Sequence, residues 1–398
     1  MISRLSVVCE NLGTWRLMYS LGAFLNAFMW GLYFSFTRRY ISVELGGGLQ
    51  AIMLITGLEW GFTLFAVIVG RLAKYLSDRD LVLVGITGTV PFLLASSNQE
   101  PLTLSLILSF SSLSWALSWP SILTAVFSSS TISPGRAYSY FTIGTGVGYS
   151  IGSSVMGVFY NIVGAKGLFI IIATTYFITY SIFVVFFPKK AGRIKHEISG
   201  LSNLSWGFKK KLLMVLPALS LTVFSRELLY AVAPSKLSLE LENMLSSSSR
   251  WVEYLLFGVV YGGFTSLLSI PARILAGMIT DKHNPLVLFS LTTLAYMVVY
   301  WTFVKSGGVL ALLIWQIPLY PFLDTAINTY IAKQTPREAM TTSFGITIFF
   351  NALGGLMILP LLASPSLDTD FLGYVVTLAT TLSVILTSIS YRRDKYLT

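Results

Sequence analysis

Residues 188–211 read PKKAGRIKHEISGLSNLSWGFKKK, with seven Lys and Arg side chains in 24 positions, and they divide a chain of 398 residues near its middle. Long apolar runs lie on both sides. The stretch therefore reads as a linker between two halves, 1–187 and 212–398. Trp206 and Phe208 beside Lys209, Lys210 and Lys211 fit a short amphipathic segment on a membrane face. A solvated linker fits them equally.

Outward from this linker, 54% of the residues are hydrophobic, 11% are charged and the mean hydropathy is +0.73. A water-soluble domain carries about 25% charged residues, so most of this surface has to face lipid. Apolar runs of roughly 18 residues or more recur along the chain, each long enough to cross hydrocarbon as a helix. Barrel strands would show alternating segments of about ten residues instead. With Gly, Pro and charge clusters as punctuation, twelve spans are predicted: 17–36, 49–71, 81–97, 102–127, 138–161, 167–187, 212–233, 253–276, 286–304, 309–330, 341–363 and 371–391. The first has no cleavage site behind it and is expected to be retained. Cys9 is the lone thiol, which excludes an internal disulfide.

With the N-terminus placed inside, Lys and Arg divide 20 to 6 between inner and outer segments. The outer six are Arg38, Arg39, Lys166, Lys236, Arg250 and Lys305. Because basic loops stay cytoplasmic, both termini are expected inside the cell membrane. The net charge of +10 is then an orientation signal and does not require a nucleic-acid partner.

Two inner loops resemble each other. Gly70-Arg71-Leu72-Ala73-Lys74-Tyr75-Leu76-Ser77-Asp78-Arg79 follows the second span, and Gly277-Met278-Ile279-Thr280-Asp281-Lys282-His283-Asn284-Pro285 follows the eighth, 207 residues later. Pro134-Gly135-Arg136-Ala137 and Pro336-Arg337-Glu338-Ala339 are offset by 202. Two nearly equal offsets argue for a duplicated unit. At these residues the sequence resembles the major facilitator superfamily, whose signature G-x-L-A-D-[RK]-x-G-[RK]-[RK] lies between helices two and three and returns weakened between eight and nine. Gly70, Leu72, Ala73 and Arg79 match the first copy, and Gly277, Asp281 and Lys282 the second. Lys74 stands where the first copy has its acid, Tyr75 where a basic residue follows, and Asp78 is shifted along.

The resemblance implies an all-α polytopic membrane fold of twelve helices in two six-helix bundles, acting as a secondary transporter by alternating access. It implies a cytoplasmic gating motif made by Gly70, Arg71, Asp78, Arg79, Arg273, Gly277, Asp281 and Lys282. There an acid accepts hydrogen bonds from a neighbouring helix N-terminus and pairs with a base, Asp281 with Lys282 or Arg273. Gly144, Gly148 and Gly152 occupy the place of an antiporter motif but lack its proline. Their four-residue spacing reads as close helix packing.

An ionisable side chain inside hydrocarbon costs about 2.5 to 3.5 kcal/mol on insertion scales, so each needs a partner or a wet cavity. Apart from Arg71, Glu253 and Arg273 near span ends, four lie within predicted spans: Glu59, Arg226, Glu227 and Asp324. Spans three, six, nine and twelve hold none, which agrees with their implied place outside the central cavity. Glu59 is expected as the first proton carrier, with Glu227 and Asp324 beside it. Arg226 suits an anionic group. Neighbours on a helix point about 100° apart, so Glu227 is not expected to pair with it. Asn26, Trp30, Trp119, Gln316, Asn328 and Asn351 are the remaining substrate-binding candidates.

His196 and His283 sit in predicted loops, and there is no H-E-x-x-H or cysteine cluster. No metal, cofactor or enzymatic activity is expected. The reading is a monomeric, proton-coupled carrier of a small organic solute, with export favoured by the aromatic lining. An importer of an anionic metabolite and a non-transporting sensor are the alternatives.

Overall fold

The computed structural model describes residues 14–73, 75–128, 133–188, 206–245, 250–336, 339–364 and 367–397. Among them every regular element is helical, and ten helical stretches are long and apolar enough to cross a membrane. The first half holds α1 (Thr14–Arg39), α2 (Gly48–Thr63), the pair α3 (Asp78–Val84) and α4 (Thr89–Ala95), α5 (Pro101–Ser128) and α6 (Pro134–Val185). The second holds α7 (Trp206–Met244), α8 (Arg250–Gly258), α9 (Phe264–Lys282), α10 (Pro285–Lys305), α11 (Gly308–Trp315), α12 (Tyr320–Gln334), α13 (Met340–Leu356) and α14 (Thr369–Leu397). The basic segment 189–205 lies outside the described residues, as do Lys74, Arg337 and Glu338.

Local chemistry explains the punctuation. α6 has 52 residues, about 78 Å at 1.5 Å each, far more than one bilayer crossing. At Gly164 the backbone turns to φ 66° and ψ −175°, a conformation that L side chains resist, and the chain doubles back there. Between α3 and α4 the residues Gly85–Gly88 wind as a 3-10 helix. A Cβ on Gly85 would strike the Tyr180 ring, and one on Gly88 the Tyr176 ring. Ser77 caps α3, accepting from the Asp80 amide at 3.2 Å while Asp80 accepts from the Ser77 amide at 3.0 Å.

Several helices outrun their predicted spans. α1 continues to Arg39 and then as a π-helix over Tyr40–Glu44, so Arg38 and Arg39 are 5% and 3% exposed, not loop residues. Lys236 likewise lies inside α7. Hydropathy ends a span where charge begins, whereas these cations find partners inside the protein.

The glycine stripe of α6 presses on the backbone of α1. A Cβ at Gly144, Gly148 or Gly152 would meet the carbonyl oxygens of Ser20, Phe24 and Phe28 respectively. Elsewhere the two halves touch each other at both ends of the molecule. The end bearing Asp78 and Asp281 is here termed inner, after its expected orientation. There Asp281 accepts from Ser133 Oγ at 2.6 Å and the Gly135 amide at 3.2 Å, and it faces Arg136 Nε at 3.5 Å. Its base is therefore Arg136 of the opposite half, and the expected partners Lys282 and Arg273 are not used. Lys282 is exposed, and Arg273 is buried farther along α9.

Asp78, despite its shifted place, makes the corresponding reach in the other direction, accepting from Ser121 Oγ at 2.8 Å and Thr341 Oγ1 at 3.1 Å. Close approach makes this possible: a Cβ on Gly277 would collide with Ser139, and one on Gly70 with Thr342. Arg71 is exposed, and Arg79 donates to the Val184 carbonyl at 3.1 Å within its own half.

At the outer end Arg39 crosses the divide. Its Nη1 donates to Ser238 Oγ at 3.1 Å, its Nη2 meets Glu253 Oε2 at 3.0 Å, and its guanidinium lies 4.7 Å from the Tyr254 ring centre. Gly157 lets α6 approach the backbone at Leu255.

Candidate functional site

Between these two contact belts lies a cavity of about 450 Å³. Its ionisable liners are Arg38 and Glu59 from the first half and Arg226, Glu227, Arg273 and Asp324 from the second. All four residues singled out by charge within a span therefore reach one space. Trp30, Trp60, Trp115, Trp119, Tyr149 and Tyr261 contribute much of the aromatic wall.

The first-half pair is saturated. Arg38 Nη2 meets Glu59 Oε2 at 2.5 Å and Nη1 donates to Oε1 at 3.4 Å, while Tyr33 donates its hydroxyl to Oε1 at 2.6 Å. The Arg38 guanidinium also lies 5.1 Å from the Phe34 ring centre. Both oxygens of Glu59 are thus occupied, and the residue expected to be the first proton carrier is tied into an ion pair. Hydropathy places Arg38 just beyond the first span, in an outer loop, and nothing in the sequence singles out Tyr33. The signal available was the apolar run continuing past Arg39 through Tyr40 and Ile41.

The second-half group is looser. Arg226 does pair with Glu227, with Nη2 at 2.7 Å and Nε at 2.9 Å from Oε1. This corrects the expectation from helix geometry. The Cα–Cβ vectors diverge, but the long arginine stem lets the guanidinium swing back to the adjacent carboxylate, and burial rewards the nearest anion. Arg226 then reaches Asp324 only at 3.9 Å. The Asp324 side chain is 37% exposed, the most open of the three cavity acids. Arg273, placed in the gating motif by resemblance, is instead a cavity residue, 5% exposed, with its guanidinium 5.2 Å from the Tyr320 ring centre.

The remaining candidates separate. Asn26, Trp30 and Trp119 line the cavity, and Asn26 Oδ1 is buried without a hydrogen-bond partner. Gln316, Asn328 and Asn351 are not among its walls. Gln316 accepts from Thr265 Oγ1 at 2.9 Å and donates to the Val260 carbonyl at 3.0 Å. Trp315 Nε1 donates to the Tyr261 carbonyl at 2.8 Å. These two bonds receive carbonyls along the π-helix Val259–Gly263 between α8 and α9, which carries the cavity residue Tyr261. Asn328 donates to the carbonyl of Asp324 at 2.8 Å on its own helix.

Comparison with known proteins agrees with this architecture. The sequence matches the Major Facilitator Superfamily over residues 19–359, and the chain belongs to that family. Among solved structures, the nucleoside transporter NupG superposes with a TM-score of 0.66 at 14% identity, covering 95% of this chain and 99% of that one. A POT family transporter in complex with a thioalcohol-conjugated peptide gives 0.71 at 14% identity, covering 95% and 96%. The peptide transporter POT in complex with sulfate gives 0.70 at 13% identity, covering 96% and 95%. Such distant likeness speaks to the fold alone. No curated protein sequence matches the chain significantly. The protein is a multi-pass membrane protein and a secondary-active transporter of small molecules, not an enzyme.

Proposed function

We propose that the chain is a twelve-span carrier, with bundles 1–187 and 212–398 and a cytoplasmic linker 188–211, that exposes its central cavity alternately to the two sides of the cell membrane. The count follows if α6 is two spans parted at Gly164 and the α3–α4 rod is one more beside the other stretches. The observation that carries the mechanism is the cavity held between two belts of contact between the halves, Asp78 and Asp281 at one end and Arg39 at the other. Opening either belt while the other holds gives access to one side at a time.

Protons are the coupling ion, and Asp324 is the coupling acid. Glu59 and Glu227 each hold an arginine at 2.5 to 2.7 Å; protonating Glu59 would strand Arg38, and protonating Glu227 would leave Arg226 only the more distant Asp324. Asp324 has only the 3.9 Å contact and is open to the cavity. Asn26, Trp30, Trp119 and Arg226 complete the solute's surroundings. In proteoliposomes a pH gradient is expected to drive solute flux, and Asp324→Asn to uncouple it. Flux of every accepted solute that ignores the gradient would remove proton coupling.

A further inference from the structure

The cavity contains three guanidinium groups, and two have their own carboxylates: Arg38 has Glu59 and Arg226 has Glu227. Arg273 has none. It is 5% exposed, its Nε lacks a hydrogen-bond partner, and no carboxylate among the described residues pairs with it. Its side-chain contact is the face of Tyr320. Arginine does not shed its proton in a protein, and with no carboxylate among the described residues in contact with it this buried guanidinium leaves room for an anion to pair with it directly. We infer that Arg273 holds an anionic group of the solute, so that the carried molecule is a carboxylate or phosphate monoester on an aromatic or apolar body small enough for a cavity of about 450 Å³.

Both anions match the guanidinium fork, which donates two parallel hydrogen bonds to paired oxygens. The aromatic wall provides for the rest of the molecule.

Charge balance deepens the proposed coupling, on which this second step rests. With the three arginines and three acids of the lining charged, the cavity is neutral, and an incoming carboxylate, or a phosphate monoester in its singly ionised form, leaves it one negative charge in excess. At low dielectric that excess is costly. A proton on Asp324 removes it. Asp324 faces Arg226 and Glu227 from α7, Arg273 from α9, Tyr138 from α6 and Tyr296 from α10, and it is the acid among them without a short ion pair. Anion and proton therefore occupy the cavity together. Cotransport, in place of the export suggested by the aromatic lining, follows.

The test titrates the purified full chain in detergent with phenylacetate, 4-phenylbutyrate, octanoate and phenyl phosphate. Each acid is compared with its uncharged amide or alcohol, by calorimetry in two buffers of different ionisation enthalpy. At least one acid is expected to bind about tenfold or more tightly than its neutral partner, with uptake of up to one proton. Whether a carboxylate or the phosphate leads decides the anion's identity. Arg273→Gln is expected to abolish the preference and Arg273→Lys to keep part of it. Asp324→Asn is expected to keep acid binding but lose proton uptake.

Equal binding of acids and neutral partners, absence of acid binding, or an intact preference in monodisperse Arg273→Gln overturns the inference. If Arg273→Gln does not purify, the wild-type ratio and Arg273→Lys decide. Acid preference without proton-driven flux would sink the coupling reading and leave the anion site standing.

Discussion

The two halves of the cavity solve the same problem differently. In the first half Glu59 is enclosed by Arg38 and Tyr33, with contacts of 2.5 and 2.6 Å, and nothing is left to bind. In the second, Arg226 and Glu227 pair at 2.7 Å, while Asp324 stands 3.9 Å away and Arg273 has no ion pair among the described residues. The saturated cluster holds α1 against α2. The unsaturated group leaves Arg273 and Asp324 without a short ion pair, which is what the proposed binding and proton exchange would use. Buried charge in a membrane protein is therefore not uniformly functional, and the count of unmet partners distinguishes the cases.

This contrast can be broken experimentally, most strongly at Glu59. Glu59→Gln should cost about 3 to 5 kcal/mol of stability by leaving Arg38 buried and uncompensated, read as a fall in the melting temperature of the detergent-purified protein. Replacing both partners, Arg38→Met with Glu59→Leu, should recover most of that loss. If Glu59→Gln melts like the wild type, the pair is not structural. Tyr33→Phe removes one hydrogen bond to a charged group and should cost about 1.5 to 3 kcal/mol in the same measurement.

On the looser side, Glu227→Gln should cost about 1.5 to 2 kcal/mol, the low end of the range for lost hydrogen bonds to a charge, because Asp324 at 3.9 Å still partly compensates Arg226. A loss equal to that of Glu59→Gln would make the two groups alike. Asp324→Asn should change stability by no more than about 1 kcal/mol yet abolish dependence of flux on a pH gradient in proteoliposomes. A large melting shift without a transport defect would reverse the assignment.

Legibility followed the physics of each residue. Glu59, Arg226, Glu227 and Asp324 were visible because a charge amid some twenty apolar residues is conspicuous in any window of the sequence. Arg38 and Arg273 were not, because they sit toward the ends of apolar runs, where hydropathy cannot separate a buried cation from a loop cation. Gln316 looked like a substrate ligand and proved to be a staple on the π-helix, a backbone irregularity with no sequence signature of its own. The reach of Asp281 to Arg136 depends on two helix ends 145 residues apart meeting across the divide between the halves.

The sequence alone determined the solvent of this protein, since its paucity of charge and recurrence of apolar runs leave lipid as the medium and helices as the elements. It also displays two pairs of similar loops at offsets of 207 and 202 residues. Only the tertiary structure decided which buried charges are satisfied. Pairing depends on distances of 2.5 to 3.9 Å between side chains on different helices or on long, flexible stems, and linear order does not encode those distances.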